Sequence, residues 1–185
     1  MKVKEVVLAA AKLLEIDEEV SAYVNEGAGR GKEDAEKLVS CFNLIENDLA
    51  LNYVSLFEKT LFSVEDGKIF YENFPQNPLR VISVTDKKGE RLPFQLFPTE
   101  IHVDTGEQEV WVNYAYLPEE KGLLSDSDYQ ACVSVALMAY GVAAEYCATR
   151  GLYTEAAFWG NKYKESIAKS HALKRGGRMQ SRKWV

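Results

Sequence analysis

The 185-residue chain is 46% hydrophobic, 27% charged and 11% aromatic, enough for one globular domain and too few for two comfortable ones, and a composition that excludes disorder over most of its length. Its net charge of −6 is unevenly divided: residues 1–168 hold all 28 acidic residues against 16 basic ones, −12, while residues 169–185 hold six basic residues and no acid, +6. An acidic body excludes general nucleic-acid binding, because neutralising phosphates takes clustered Lys and Arg on the docking face.

The N-terminal third reads as helix. Val3, Val6, Val7, Ala10, Leu13 and Leu14 recur at three- and four-residue intervals, and Asp17 caps a second short helix through Val20 and Val24. The segment Gly27-Ala-Gly-Arg-Gly31 interrupts the pattern. From Lys32 to about Leu61 the series Leu38, Phe42, Ile45, Leu49, Tyr53 and Leu56 predicts one long helix with a single apolar stripe, its polar face carrying Glu36, Glu46, Asp48 and Glu58.

The period then changes. Short strands are expected at Leu61 to Val64, Lys68 to Tyr71, Arg80 to Thr85 and Leu92 to Phe97, with a final pair, Ile101 to Val103 and Glu109 to Tyr116. Asp66-Gly67, Lys87-Lys88-Gly89 and Asp104-Thr105-Gly106 each put a glycine where a hairpin needs positive φ, and Pro75, Pro78, Pro93 and Pro98 mark strand edges or connections. Val110, Val112, Tyr114 and Tyr116 alternate with Trp111, Asn113 and Ala115, the pattern of a half-buried antiparallel strand. The middle section therefore reads as a small antiparallel β-sheet of hairpins.

After Pro118 the helical period returns. Ser125 and Asp128 resemble a capping box, and the helix they open is expected to run through Tyr129 to about Thr149 and stop at Gly151. It carries two stripes, Val133, Leu137, Tyr140, Ala144 and Cys147 on one side and Val135, Met138, Val142 and Tyr146 on another. A helix apolar on two faces calls for a second covering surface besides its own sheet. A last helix from about Thr154 uses Ala156, Trp159, Tyr163 and Ile167, with Gly160 read as a close-approach position, and fades near Leu173. The fold class is thus α+β and mainly helical, with a single domain over 1–173 (helical 1–60, β-rich 61–118, helical 119–173) followed by a flexible basic arm, 174–185.

Sites of chemistry are sparse. The run Ala131 to Ala144 falls short of the roughly 20 residues of a membrane span, and Met-Lys-Val-Lys-Glu passes into an amphipathic pattern, so neither a spanning helix nor a secretory signal is expected and the chain is assigned to the cytoplasm. Cys41, Cys132 and Cys147 have no zinc-knuckle spacing and read as small buried residues. The glycine segment follows a helix and lacks a Lys-Ser/Thr pair, so it reads as a helix connection and not a phosphate loop. Asp126 and Asp128 suit the first turn of a helix, and His102 an exposed strand position. No catalytic residue, metal site or cofactor is expected. The stretch Tyr146 to Ala168 is similar to one tetratricopeptide hairpin, but a solenoid needs at least three such units.

The arm asks for a partner. Extended at about 3.3 Å per residue, its 12 residues reach about 40 Å, and Lys174, Arg175, Arg178, Arg182, Lys183 and Trp184 combine charge with an aromatic anchor suited to an acidic, partly apolar surface.

The segment order then becomes informative. The N-terminal helical part, Phe62-Ser-Val-Glu-Asp-Gly-Lys-Ile-Phe-Tyr71, Leu79-Arg-Val-Ile-Ser-Val-Thr-Asp-Lys-Lys-Gly89, Val110-Trp-Val-Asn-Tyr-Ala-Tyr-Leu-Pro118, the helical hairpin and the Arg182-Lys-Trp-Val185 ending together resemble the head-tail connector (adaptor, or neck) proteins of tailed bacteriophages. The resemblance spans most of the chain. It implies a non-enzymatic virion structural protein made in the bacterial cytoplasm and located in the virion neck, where copies form a homo-oligomeric ring under the portal protein and meet the next neck or tail protein. DNA then passes through the channel without sequence-specific binding, and the C-terminal arm reaches the portal or a neighbouring subunit. An acidic channel wall, which repels phosphate, fits that role. Two alternatives stand beside it: a small cytosolic protein- or peptide-binding module using the C-terminal hairpin, and an enzyme of unrecognised type.

Overall fold

Among the described residues, the alternation between helical and strand periods in the sequence resolves into twelve helices and strands. The computed structural model describes residues 1–27, 29–129 and 133–174, the last four through their backbone alone. The elements run α1 (Val3–Leu13), α2 (Asp17–Glu26), α3 (Lys32–Asn52), β1 (Leu56–Ser63), β2 (Lys68–Phe70), β3 (Asn77–Thr85), β4 (Arg91–Leu92), β5 (Phe94–Leu96), β6 (Glu100–Val103), β7 (Glu109–Leu117), α4 (Val135–Thr149) and α5 (Tyr153–Lys174), with a 3₁₀ turn at Tyr71–Asn73. With 47% helix and 25% strand the class is α+β. The chain forms two compact units, a helical one from Met1–Ile45 with Lys121–Val185 and a sheet unit, Glu46–Glu120.

The helical unit is built around α4. α1 buries Val3, Val6, Val7, Ala10 and Ala11 and packs on α4, which also packs on α5. Leu137, Met138, Ala139, Val142, Ala143, Tyr146 and Cys147 are all buried, so α4 is apolar nearly all round because it is enclosed nearly all round. Both stripes therefore find cover within the chain: on the first, Tyr140 stacks on Trp159 of α5, ring centroids 5.8 Å apart, and on the second, Met138, Val142 and Tyr146 are buried. No neighbouring subunit is needed to explain them.

Glycines set two close approaches here. A Cβ on Gly141 would lie 2.9 Å from two side-chain carbons of Ile45, so α3 and α4 touch where the side chain is missing. A Cβ on Gly31 would lie 2.1 Å from the Glu19 carbonyl oxygen, so the glycine segment joins α2 to α3 by seating its last residue against the α2 backbone. Its first residue, Gly27, closes α2 in the left-handed conformation, its N–H donating to the Tyr23 carbonyl at 2.8 Å. Gly160 does not behave as expected. Nothing lies within 4 Å of a Cβ built there.

Two helix boundaries differ from the periodic reading. α3 stops at Asn52, where the Val54 N–H reaches back to the Leu49 carbonyl at 2.7 Å. Beyond it Phe57, Thr60 and Phe62 favour a pleated strand, and Leu56 to Ser63 pair with β7 along their whole length. Tyr53 and Leu56 continue the apolar spacing but not the helix, and Glu58 belongs to a strand. Glu46, expected on the polar face, is fully buried. At the other boundary α4 begins only at Val135, its N-cap Ser134 accepting the Leu137 N–H through Oγ at 3.2 Å. Ser125 and Asp128 lie upstream of the helix. Ser125 Oγ accepts the Gly122 N–H, and the Ser125 carbonyl accepts the Val3 N–H at 3.1 Å, which ties this segment to the start of α1.

The sheet unit contains two antiparallel sheets where one was expected. The first has the order β1-β7-β3-β4 and the second β2-β6-β5. Pro93 explains the division: lacking an N–H it breaks the expected Leu92 to Phe97 strand into β4, in the first sheet, and β5, in the second. β6 and β7 are likewise in different sheets, and Gly106 between them is not in the left-handed region. The Asp86 to Glu90 hairpin and the Glu65 to Lys68 turn do use positive φ, at Gly89 (88°), Asp66 (49°) and Gly67 (76°). Between the sheets lies an apolar core containing Phe62, Phe74, Val84, Ile101, Val112 and Tyr114, with Phe74 edge-on to Tyr114 at 4.7 Å.

Adding one methyl at each close approach separates the two contacts. Gly141→Ala is expected to cost about 1–3 kcal/mol, because the Ile45 side chain can give way, whereas Gly31→Ala must displace backbone and cost more. Urea unfolding of both variants measures this order directly, and equal midpoints would contradict it.

Candidate interaction surfaces

Of the six residues expected to dock a partner, Lys174 is the last residue of α5, and Arg175, Arg178, Arg182, Lys183 and Trp184 lie outside the described residues. Cys132 also lies outside them, while Cys41 and Cys147 are buried as expected, burial pushing the Cys41 thiol up to about 11. Among the described residues no group of three or more His, Cys, Asp or Glu could hold a metal ion, and no helix is long and apolar enough to cross a membrane. Asp126 forms an isolated bridge with Lys2, and Asp128 accepts from Lys121 Nζ at 3.1 Å.

The C-terminal helix presents the first surface. α5 buries Tyr163 and Ile167 and half-buries Trp159, while most of its remaining length is exposed, including Tyr153 (75%) and Phe158 (52%). Tyr146, near the end of α4, donates to Asp34 Oδ1 at 2.7 Å, and Arg150 bonds the same carboxylate, fixing α4 to the start of α3.

The outer face of the four-stranded sheet is the second surface. Because directly paired residues share a face, the ladder places Leu61, Trp111, Thr85 and Arg91 in one row, Lys59, Asn113 and Ser83 in the next, and Phe57, Ala115 and Arg80 in a third. Phe57 is 59% exposed, Leu61 39%, and Lys59 Nζ stands 5.3 Å from the Trp111 ring centroid. The face is aromatic and basic. Helical assignment of residues 56–60 concealed it; the signal in the sequence was the alternation of Phe57, Lys59 and Leu61 with Glu58, Thr60 and Phe62. On the buried side of the same ladder Tyr114 OH donates to Glu58 Oε2 at 3.1 Å, and burial, its principal cause, lifts the Tyr114 phenol to about 12.

The second sheet presents a third surface. Its exposed side carries His102, whose Nε2 lies 2.6 Å from Glu100 Oε1, with Lys68 Nζ at 3.1 Å from the same oxygen and the Phe97 ring 4.3 Å from the imidazole. His102 first, then Lys68, holds the Glu100 carboxyl below its ordinary range. Beside it an open cleft is lined by Asp66, Pro93, Phe94, His102 and Asp104. Neither a protein-family model nor a curated protein matches the chain.

A depressed carboxylate stabilises the fold above its ordinary pKa, and that contribution disappears as pH falls through the lowered value. His102→Ala is therefore expected to move the Glu100 titration midpoint upward, read by NMR of its side-chain carboxyl. An unmoved midpoint would contradict the assigned cause.

Proposed function

We propose that the chain is a structural protein of the tailed-bacteriophage neck, a head-tail connector that assembles as a ring under the portal, docks through its C-terminal segment and forms part of the DNA channel. The observation that carries this reading is the last helix together with the basic segment beyond it. α5 is held by one stripe, Trp159, Tyr163 and Ile167, and continues into eleven residues with four basic side chains, one tryptophan and no acid. A helix anchored on one side and continuing into such a segment supports docking onto an acidic or apolar partner, and the acidic remainder supports a channel wall that lets DNA slide.

The hairpin as a peptide-binding module is the second reading, favoured by the exposure of Tyr153 and Phe158 on α5. Five positions apart, these two rings project about 140° from one another around the helix. They suit two separate contacts better than one groove.

Quantitative mass spectrometry of density-purified particles from a strain carrying the gene tests the neck reading. A copy number of about one ring per particle, relative to portal and major capsid protein, is the expected result; absence from particles with abundance in the cytosol overturns it. Removing residues 175–185 is expected to leave thermal unfolding unchanged and abolish portal attachment. Truncated protein that still docks would remove the segment from the reading.

A further inference from the structure

The sheet unit is strongly acidic, with 14 acidic and six basic residues between Glu46 and Glu120, but its charges are segregated. Lys59, Arg80 and Arg91 stand on the outer face of the four-stranded sheet, all exposed, and Lys87 reaches its rim. The one acid at a paired position of that face, Glu109, is held by Lys87 at 2.7 Å. The side built by β2, β5 and β6 has the opposite character. Glu65 and Asp66 before β2 and Asp104 and Glu107 after β6 are exposed, while Lys68 is engaged with Glu100. Asp66 and Asp104 flank the open cleft that Pro93 and Phe94 also line.

We infer that the outer face of the four-stranded sheet is a self-association surface that docks the acidic β2–β6 side of a second copy. Charge decides the geometry. A two-fold contact made through the outer face alone would crowd Lys59, Arg80 and Arg91 of both copies together, whereas a head-to-tail contact pairs these cations with Asp66 and Asp104 and repeats from copy to copy. Head-to-tail contacts close into rings when the rotation between copies permits. Phe57 and Leu61, on either side of Lys59 along β1, and Trp111 beside Leu61 on β7 supply the apolar area next to these cations. A phosphate backbone would meet the same three cations, but within a unit whose other ionised groups repel it, so a carboxylate-bearing protein surface of the same chain is the better complement.

The expected strength follows from size. Three strands about 4.8 Å apart and eight residues long at about 3.4 Å each offer roughly 400 Å², half of the ~800 Å² per partner of a stable interface. The contact is therefore weak, concentration-dependent and sensitive to salt. It deepens the ring reading above and rests on it only for closure.

A charge exchange in the full-length chain tests the contact. By sedimentation velocity, wild-type protein is expected to gain mass with concentration and lose it at high salt. Lys59→Glu/Arg80→Glu and Asp66→Lys/Asp104→Lys, all at exposed positions and checked for unchanged circular dichroism, are each expected to be monomeric alone. Their equimolar mixture is expected to associate again, since every contact then pairs opposite charges. Wild type that stays monomeric at every concentration, association that survives in either variant, or a mixture that stays monomeric overturns the inference. Retention of a single-stranded oligonucleotide by wild type and not by the Lys59/Arg80 variant assigns the face to nucleic acid and also overturns it. The particle count is independent: rescue by mixing with no protein in particles removes the neck and keeps the contact, and the converse result does the reverse.

Discussion

Along β7, Val110, Val112 and Tyr114 point into the core while Trp111 and Asn113 point away, and pairing on both sides imposes that division on β1 and β3. The rest of the sheet unit depends on it. A slip of one residue would turn Phe62, Val84 and Val112 toward solvent and drive Lys59 and Arg80 toward Phe74 and Ile101. The register that protects the core is therefore also the one that collects three cations and two exposed aromatic or aliphatic side chains on one surface. Stability and surface character have one cause.

Much of this arrangement was legible in the sequence, and the failures have physical reasons. α1 and α2 were readable because their periods are uninterrupted, and β7 because its alternation is long. The end of α3 was not: Tyr53 and Leu56 keep helical spacing across a point where the backbone changes conformation, so period alone missed β1 and with it the outer face. The capping residues Ser125 and Asp128 have suitable chemistry, but Ser125 instead holds the chain against α1, and Ser134 performs the cap farther along the chain. The separation into two sheets depended on which strands pair, and a single proline was the sole local sign. The basic residues beyond Lys174 were readable as composition alone, four cations and a tryptophan with no acid among them.

Bulk charge is a poor guide to such a molecule. A net −6 and an acidic sheet unit describe what approaches from a distance, while contact surfaces only a few residues across are governed by local arrangement. Lys59 over Trp111 and Glu109 beneath Lys87 are both outcomes of pairing that no count of residues reveals. A similar principle operates in the helical unit, where α4 looks like an assembly helix by composition and is in fact the enclosed centre of its own bundle.

β1 lies at the margin of its sheet, ladder-bonded on one side only, and eight residues of open edge carrying Phe57 and Leu61 are the kind of template that recruits strands without limit. Lys59 stands midway along it. Its ammonium group leans back over the Trp111 ring of β7, on the outer face, and puts a positive charge beside that margin, the kind of charge by which natural sheets discourage pairing with a further strand. One side chain thus charges both the outer face and its open margin, and a substitution made to alter the first also alters the second.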